Sequence, residues 1–168
     1  MKFLIHITTV LGAVLLFLIL LSCTKPQQPV TNDRQEEEQQ EQQKEEINMP
    51  DQIQITISGK TMPVKIENNA ATQALVKALR EASITYEAQD YGGFEKVGSL
   101  GRSLPRKDVQ LTTQPGDVIL YSGNQIVLFY GSNAWSYTRI GKMEYGTLDE
   151  LKSFLKAGQG NIRVTLSL

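Results

Sequence analysis

The stretch from residue 117 to residue 130 constrains the fold of this 168-residue chain more than any other. It predicts two strands, over residues 117–121 and 125–130, joined by a Ser-Gly-Asn turn. Apolar residues follow one another in both strands instead of alternating with polar ones, so both faces of each strand must be covered. A strand of a closed barrel with capping helices meets that demand, and so does a central strand of a sandwich.

Shorter alternating patterns predict the other strands. Isoleucines alternate with polar residues over 53–57, and apolar residues alternate again over 62–66, so a hairpin is expected around the turn at 58–60. The remaining strand signals lie at residues 84–88, 94–97, 137–143 and 161–168. We therefore expect about eight strands in a mainly antiparallel arrangement.

Two helices are predicted between these strands. The first follows a cap at Asn68 or Asn69, and the second follows a cap at Thr147. The apolar stripe of the second helix is Leu148, Leu151, Phe154 and Leu155. Residues 98–115 show no regular pattern, and their expected core anchors are Leu100, Leu104, Val109 and Leu111.

Four blocks of sequence resemble the cyclophilin-like family, in particular its bacterial branch of small barrels of unassigned function. The blocks are residues 115–121, 126–130, 136–143 and 161–168, within a resemblance that runs over residues 53–168. It implies a mainly β fold, a closed eight-stranded antiparallel barrel with two short helices. The domain is expected to span residues 51–168.

The resemblance raises the question whether this chain is a prolyl isomerase. Residues 140–143, Ile-Gly-Lys-Met, are similar to the Phe-Gly-Lys-Val of true cyclophilins, whose groove uses an arginine, a glutamine, a tryptophan and a histidine. Here residues 84–97 contain no arginine, the histidine position falls on or near Tyr137, and Trp135 is not spaced as in the family. We therefore assign no catalytic residue, and keep a divergent isomerase that assists envelope protein folding as the alternative.

A ligand groove is the function that the same region favours. Alternation along a strand puts Trp135, Tyr137 and Arg139 on one face. Aromatic rings beside a guanidinium suit an anionic, planar or peptide ligand. The expected groove consists of Tyr86, Glu95, Tyr130, Trp135, Tyr137 and Arg139.

A structural interpretation of these groove residues stays open. In that interpretation the tyrosines pack in the barrel, and Arg139 forms an ion pair with Glu95, Glu87 or Asp117. A third hypothesis is a structural lipoprotein whose barrel docks to another envelope protein.

The N-terminus predicts a lipid anchor. Lys2 precedes an apolar stretch that ends in Leu20-Leu21-Ser22-Cys23, which resembles the lipobox of bacterial lipoproteins. We expect residues 1–22 to be a signal peptide and Cys23 to carry the lipid, which makes a membrane the first partner. The alternatives are a transmembrane helix and a plain secretory signal. A bacterial cell envelope is the expected location, with the outer membrane favoured where there are two membranes.

Residues 23–50 are expected to form a disordered tether. Residues 35–46 are only Gln, Glu and Lys, so they have no apolar stripe with which to pack. A spacer of this kind would hold the domain away from the membrane surface.

Composition excludes several kinds of site. The chain has one cysteine, Cys23, and one histidine, His6, which leaves with the signal peptide. A lipidated chain therefore has no thiol or imidazole for catalysis or metal binding, and we expect no metal and no cofactor. In residues 51–168 the lysines and arginines exceed the acidic residues by two and are scattered, which is not typical of a nucleic-acid surface. The expected ligand is a peptide, a protein or a small molecule of the envelope.

Overall fold

The computed structural model describes residues 49–168. The predicted signal peptide, the lipidation site Cys23 and almost all of the tether lie outside the described residues. Met49 packs against the core, two residues before the start expected for the domain. Within residues 49–168, neither helix is long and apolar enough to cross a bilayer.

Nine strands and two helices make up the described chain. In order they are β1 (Gln52–Ile57), β2 (Lys60–Ile66), α1 (Ala70–Glu81), β3 (Ile84–Tyr91), β4 (Glu95–Ser99), β5 (Val109–Thr112), β6 (Asp117–Tyr121), β7 (Gln125–Phe129), β8 (Ala134–Met143), α2 (Leu148–Phe154) and β9 (Ile162–Ser167).

Eight of these strands form a closed barrel. Their order is β2-β1-β9-β3-β4-β7-β6-β8, and antiparallel pairing of β2 with β8 closes the ring. These are the eight strands that the sequence predicted, so the predicted closed antiparallel barrel with two helices is confirmed. Closure removes the unpaired edges that an open sheet would expose.

The ninth strand, β5, lies in the segment that was expected to be irregular. It pairs with the first half of β8, which is long enough to extend beyond the barrel. With only four residues and no buried one, β5 has too weak a local pattern to be recognised. Leu100 and Leu104 are buried as expected, whereas Val109 is 51% exposed and does not anchor the core.

Alternation along the strands builds two apolar clusters. Val118 and Leu120 of β6 belong to the large inner core, to which both helices contribute. Ile119, between them, belongs to a second cluster with Val127, Phe129 and Tyr137. Because successive strand residues point to opposite faces, this second cluster lies on the outer face of the barrel. Both faces of β6 and β7 are therefore covered, as their sequences require.

Each helix begins at a predicted cap. The Asn69 side chain accepts a hydrogen bond from the Thr72 backbone at the start of α1. At the start of α2, Thr147 and Glu150 exchange side-chain and backbone bonds in a capping box. Leu148 was wrongly expected on the buried stripe. It is 41% exposed because α2 is only seven residues long and buries Leu151 and Phe154 instead.

An ion pair joins the end of β3 to the start of β4, and hydrogen bonds tie it to the loop before β9. The Lys96 Nζ lies 2.7 Å from Asp90 Oδ2, and the Lys96 side chain is completely buried. Asp90 also accepts hydrogen bonds from the backbone N–H groups of Gly158 and Gly160. Burial by itself raises the pKa of Asp90, but hydrogen bonds from Lys96, Gly158, Tyr130 and Gly160 outweigh it and lower that pKa.

Candidate ligand cleft on the outer face of the barrel

A cleft of about 390 Å³ opens on the outer face, beside the second apolar cluster. We call it the outer-face cleft. Strands β4 and β7 supply its floor, since Val97 and Val127 are directly opposed across this pair. The end of β3, the end of β6 and the first half of β8 supply the rest. The lining residues are Tyr91, Glu95, Val97, Tyr121, Gln125, Val127, Asn133, Trp135 and Tyr137.

Glu95 is the one charged side chain among these lining residues. It pairs in register with Phe129 of the outer cluster, which places it on the outer face of β4. The residue is only 6% exposed, and its Oε2 atom has no hydrogen-bond partner within the described residues. Burial raises the pKa of this carboxyl to about 7, because leaving water disfavours its charged form.

Aromatic rings form one wall of the cleft. The Tyr137 ring meets Phe129 edge to face at 5.8 Å between centroids and Tyr121 at 6.0 Å. Asn133 Nδ2 donates a 2.8 Å hydrogen bond to the Tyr137 hydroxyl, so this ring is fixed at both its edge and its tip. Burial raises the pKa of Tyr137, the Asn133 bond lowers it, and nearby Glu95 and Tyr121 raise it further.

The rim of the cleft presents aromatic side chains to solvent. Trp135 is 57% exposed, Tyr91 65% and Tyr121 37%. Exposed aromatic rings around a buried carboxyl provide both apolar area and the negative faces of their π systems.

Three of the six predicted groove residues meet in this cleft: Glu95, Trp135 and Tyr137. Tyr86 and Tyr130 do not line it, since both belong to the inner core. The buried Tyr86 hydroxyl has no hydrogen-bond partner in the described part of the chain, and burial raises its pKa strongly. The Tyr130 hydroxyl donates to Asp90, and burial together with that carboxylate raises the pKa of Tyr130 to about 12.

Arg139 is opposed to Ile119 and so shares the outer face with Tyr137, as alternation predicted. Its guanidinium does not line the cleft. Arg139 Nη1 lies 2.9 Å from Oδ1 of the fully buried Asp117, and Nε lies 3.4 Å from Glu67. The Asp117 contact is a close ion pair whose angle is outside hydrogen-bond geometry. Asp117 was one of the three partners that the structural interpretation of Arg139 named.

Six lining residues were not expected from the sequence: Tyr91, Val97, Tyr121, Gln125, Val127 and Asn133. Their positions depend on the register between β4, β7 and β6, which is set by long-range pairing. One local signal was available for Tyr121. It is the last residue of β6, where a polar hydroxyl follows apolar residues, and it is the one exposed residue of that strand.

A model of the cyclophilin-like family matches residues 55–167. This chain belongs to the cyclophilin-like family. Among solved structures it is similar to the solution structure of a hypothetical protein from Archaeoglobus fulgidus, with a TM-score of 0.49 and 19% identity. That similarity covers 69% of this chain and 92% of the archaeal one. No curated protein sequence matches the chain.

The outer-face cleft of this cyclophilin-like barrel is chemically simple. It offers one carboxyl group, three phenols, an indole and two amides. Within residues 49–168, no three His, Cys, Asp or Glu side chains come together as a metal site. The arrangement can hold a ligand by ring contacts, hydrogen bonds and one carboxyl group.

Proposed function

We propose that this chain is a lipid-anchored envelope lipoprotein whose cyclophilin-like barrel binds a ligand in the outer-face cleft and catalyses no reaction. One observation carries the binding proposal. Glu95 is buried in the cleft without a partner among residues 49–168, between walls of aromatic side chains. Since a buried polar group without a partner costs free energy, it is expected where a ligand completes its contacts.

The composition of the cleft supports binding over isomerisation. In true cyclophilins an arginine polarises the prolyl peptide, whereas the ionisable group lining this cleft is a carboxyl. Arg139, the arginine expected at this site, is bound to Asp117 and Glu67. An ionised carboxylate accepts hydrogen bonds and cannot donate one to a prolyl amide.

The test is prolyl cis/trans exchange by NMR on model peptides, with the full chain in a nonionic detergent. We expect no acceleration at pH 8, together with peptide- or ligand-induced shifts at residues of the cleft. Acceleration that is lost in Glu95→Leu, whose side chain has neither donor nor acceptor, would replace the binding proposal by an enzyme. A cleft that gives no shifts with peptide and metabolite libraries would contradict ligand binding itself.

A divergent prolyl isomerase is the second candidate because Glu95, when protonated, becomes a hydrogen-bond donor. With a pKa of about 7, its protonated fraction rises as the pH falls from 8 to 6. This candidate therefore requires an exchange rate that increases over the same range. A rate that is flat or falls toward pH 6 would exclude Glu95 as the proton donor.

The lipid anchor is proposed from the sequence around Cys23. Cells grown with a labelled fatty acid should transfer the label to the chain and lose that transfer in Cys23→Ser. Label retained by the variant would place the lipid on another residue, and a wild-type chain without label would reject the anchor.

A further inference from the structure

We propose that the outer-face cleft selects an organic cation, whose alkylammonium group lies beside Glu95 and against the rings of Tyr121, Tyr137 and Trp135. This inference rests on the proposed binding function, and it names the chemical class of the ligand. It depends on which charges the barrel brings together and which it keeps apart.

The cations that could neutralise Glu95 pair with other carboxylates. Lys96 follows Glu95 in the chain, but it is opposed to Leu128 of the inner core and pairs with Asp90. Arg139 shares the outer face but pairs with Asp117 and Glu67. No lysine or arginine is among the residues that line the cleft. A ligand therefore has to supply the positive charge that would complete a contact with Glu95.

Aromatic side chains surround the Glu95 carboxyl in the cleft. Aromatic rings attract cations through the negative faces of their π systems, and tryptophan does so best. The cleft has four such side chains, which are Tyr91, Tyr121, Trp135 and Tyr137. An anionic ligand would meet the Glu95 carboxylate without any lining cation to offset the repulsion. Ring faces and one acidic group together favour a cation with an aliphatic body.

The volume of the cleft suits a small molecule or a single side chain. The 390 Å³ of the cleft lies within the range of roughly 300–1,000 Å³ found for small-molecule sites. The open rim lets a longer ligand extend into solvent, because Trp135 and Tyr91 are more than half exposed. Both a free amine and a lysine side chain of a peptide meet these limits.

Choline is the first probe, because its charge is permanent and any pH effect must come from the protein. Its matched control is 3,3-dimethylbutan-1-ol, which has the same shape and no charge. Trp135 is the single tryptophan of the chain, so its fluorescence reports directly on the rim of the cleft. The full chain in a nonionic detergent is titrated with both compounds at pH 6 and pH 8.

We expect choline to bind roughly tenfold more weakly at pH 6 than at pH 8, because a carboxyl with a pKa near 7 is mostly protonated at pH 6. Phenols stay neutral over this range. The other ionisable groups close to Glu95 are the phenols of Tyr91, Tyr121, Tyr130 and Tyr137, with the Asp90–Lys96 pair on the far side of the sheet.

The variant Glu95→Gln should lower choline affinity at pH 8 by roughly tenfold or more and remove its pH dependence. Glu81→Gln, the same change at an exposed position at the end of α1, should leave both unchanged. Because the pH comparison needs only the wild-type chain, a folding defect in Glu95→Gln would not prevent the test.

Three results distinguish the inference from the function on which it rests. Choline that binds no better than its neutral isostere, or equally at both pH values, overturns the cation and leaves a binding cleft. If no probe or peptide perturbs Trp135 or the cleft, the binding function fails as well. If choline binds as expected, n-butylammonium is compared with a blocked Gly-Gly-Lys-Gly-Gly peptide. Tighter binding of n-butylammonium would indicate a free amine as the ligand, and tighter binding of the peptide would indicate a lysine side chain of a protein.

Discussion

At the residue scale, Glu95 differs from the other buried carboxylates of the barrel. Asp90 is paired with Lys96, and Asp117 is paired with Arg139. Glu95 has no such partner within the described residues, so its burial is not offset by a countercharge. Burial without a countercharge makes Glu95 a candidate binding group, and it should also make Glu95 destabilise the folded protein.

The free energy of unfolding should depend on pH through the Glu95 carboxyl. The folded-state pKa of Glu95 is raised from 4.5 to about 7, so the folded protein holds its proton more tightly than the unfolded chain does. The stability that this provides is complete below about pH 4.5 and is lost as the pH rises to 7. Across that range Glu95 should reduce the free energy of unfolding by on the order of 3 kcal/mol.

Urea unfolding at pH 4.5 and pH 8 provides the measurement. The free energy of unfolding is compared between Glu95→Gln and wild type at each pH. Relative to wild type, the variant should be more stable at pH 8 than at pH 4.5 by about 3 kcal/mol. Glu81→Gln should show no such change. A constant difference between wild type and Glu95→Gln would mean that the carboxyl titrates normally.

At the scale of elements, the Asp90–Lys96 pair connects three parts of the barrel. Asp90 is the next-to-last residue of β3, Lys96 is the second residue of β4, and both contact the glycine loop that leads into β9. The pair lies on the inner side of the sheet, opposite the cleft face that carries Glu95. It should hold in place the two strands that position Glu95.

We predict that Asp90→Asn destabilises the protein by about 3–5 kcal/mol, because it leaves the buried Lys96 ammonium without its countercharge. Lys96→Met should cost less, about 1–3 kcal/mol, since Asp90 keeps its bonds from Tyr130 and the loop. The matched control is Arg163→Met, which removes the exposed Arg163–Glu87 pair and should cost less than about 1 kcal/mol. Thermal or urea unfolding measures all three, and equal losses at the buried and exposed pairs would contradict the role of burial.

At the scale of the whole molecule, closure of the barrel depends on a short seam. Strands β2 and β8 pair over three residues, fewer than any other neighbouring strands in the described barrel. Gly141 of β8 faces Ile66 there, and a Cβ atom at Gly141 would collide with the Lys65 carbonyl oxygen. The two backbones can approach this closely only because residue 141 has no side chain.

Gly141→Ala should therefore weaken the seam and lower the free energy of unfolding by about 2–4 kcal/mol. Hydrogen exchange should accelerate first at the amides of β2 and the second half of β8. Gly146→Ala is the control, because its Cβ would meet only the flexible end of Glu150, and it should cost less than about 1 kcal/mol. Unchanged exchange at the seam would show that closure does not depend on Gly141.

Much of the fold followed from the sequence by itself. The eight barrel strands and the two helix caps have local signals, since apolar periodicity and capping residues act over a few neighbouring positions. The shared face of Trp135, Tyr137 and Arg139 is a local property of β8 for the same reason. What failed were the elements without local strength, such as the four-residue β5 and the exposed Leu148.

The cleft was decided by tertiary structure. Sequence placed Arg139 and Glu95 in one groove, but only the register between β6 and β8 brings Arg139 to Asp117 and leaves Glu95 unpaired. Pairing between β4 and β7 then puts that carboxyl on the outer face, beside rings contributed by other strands. Alternation tells which residues share a face of one strand, whereas a binding site needs several strands in register, and that depends on contacts between residues far apart in the chain.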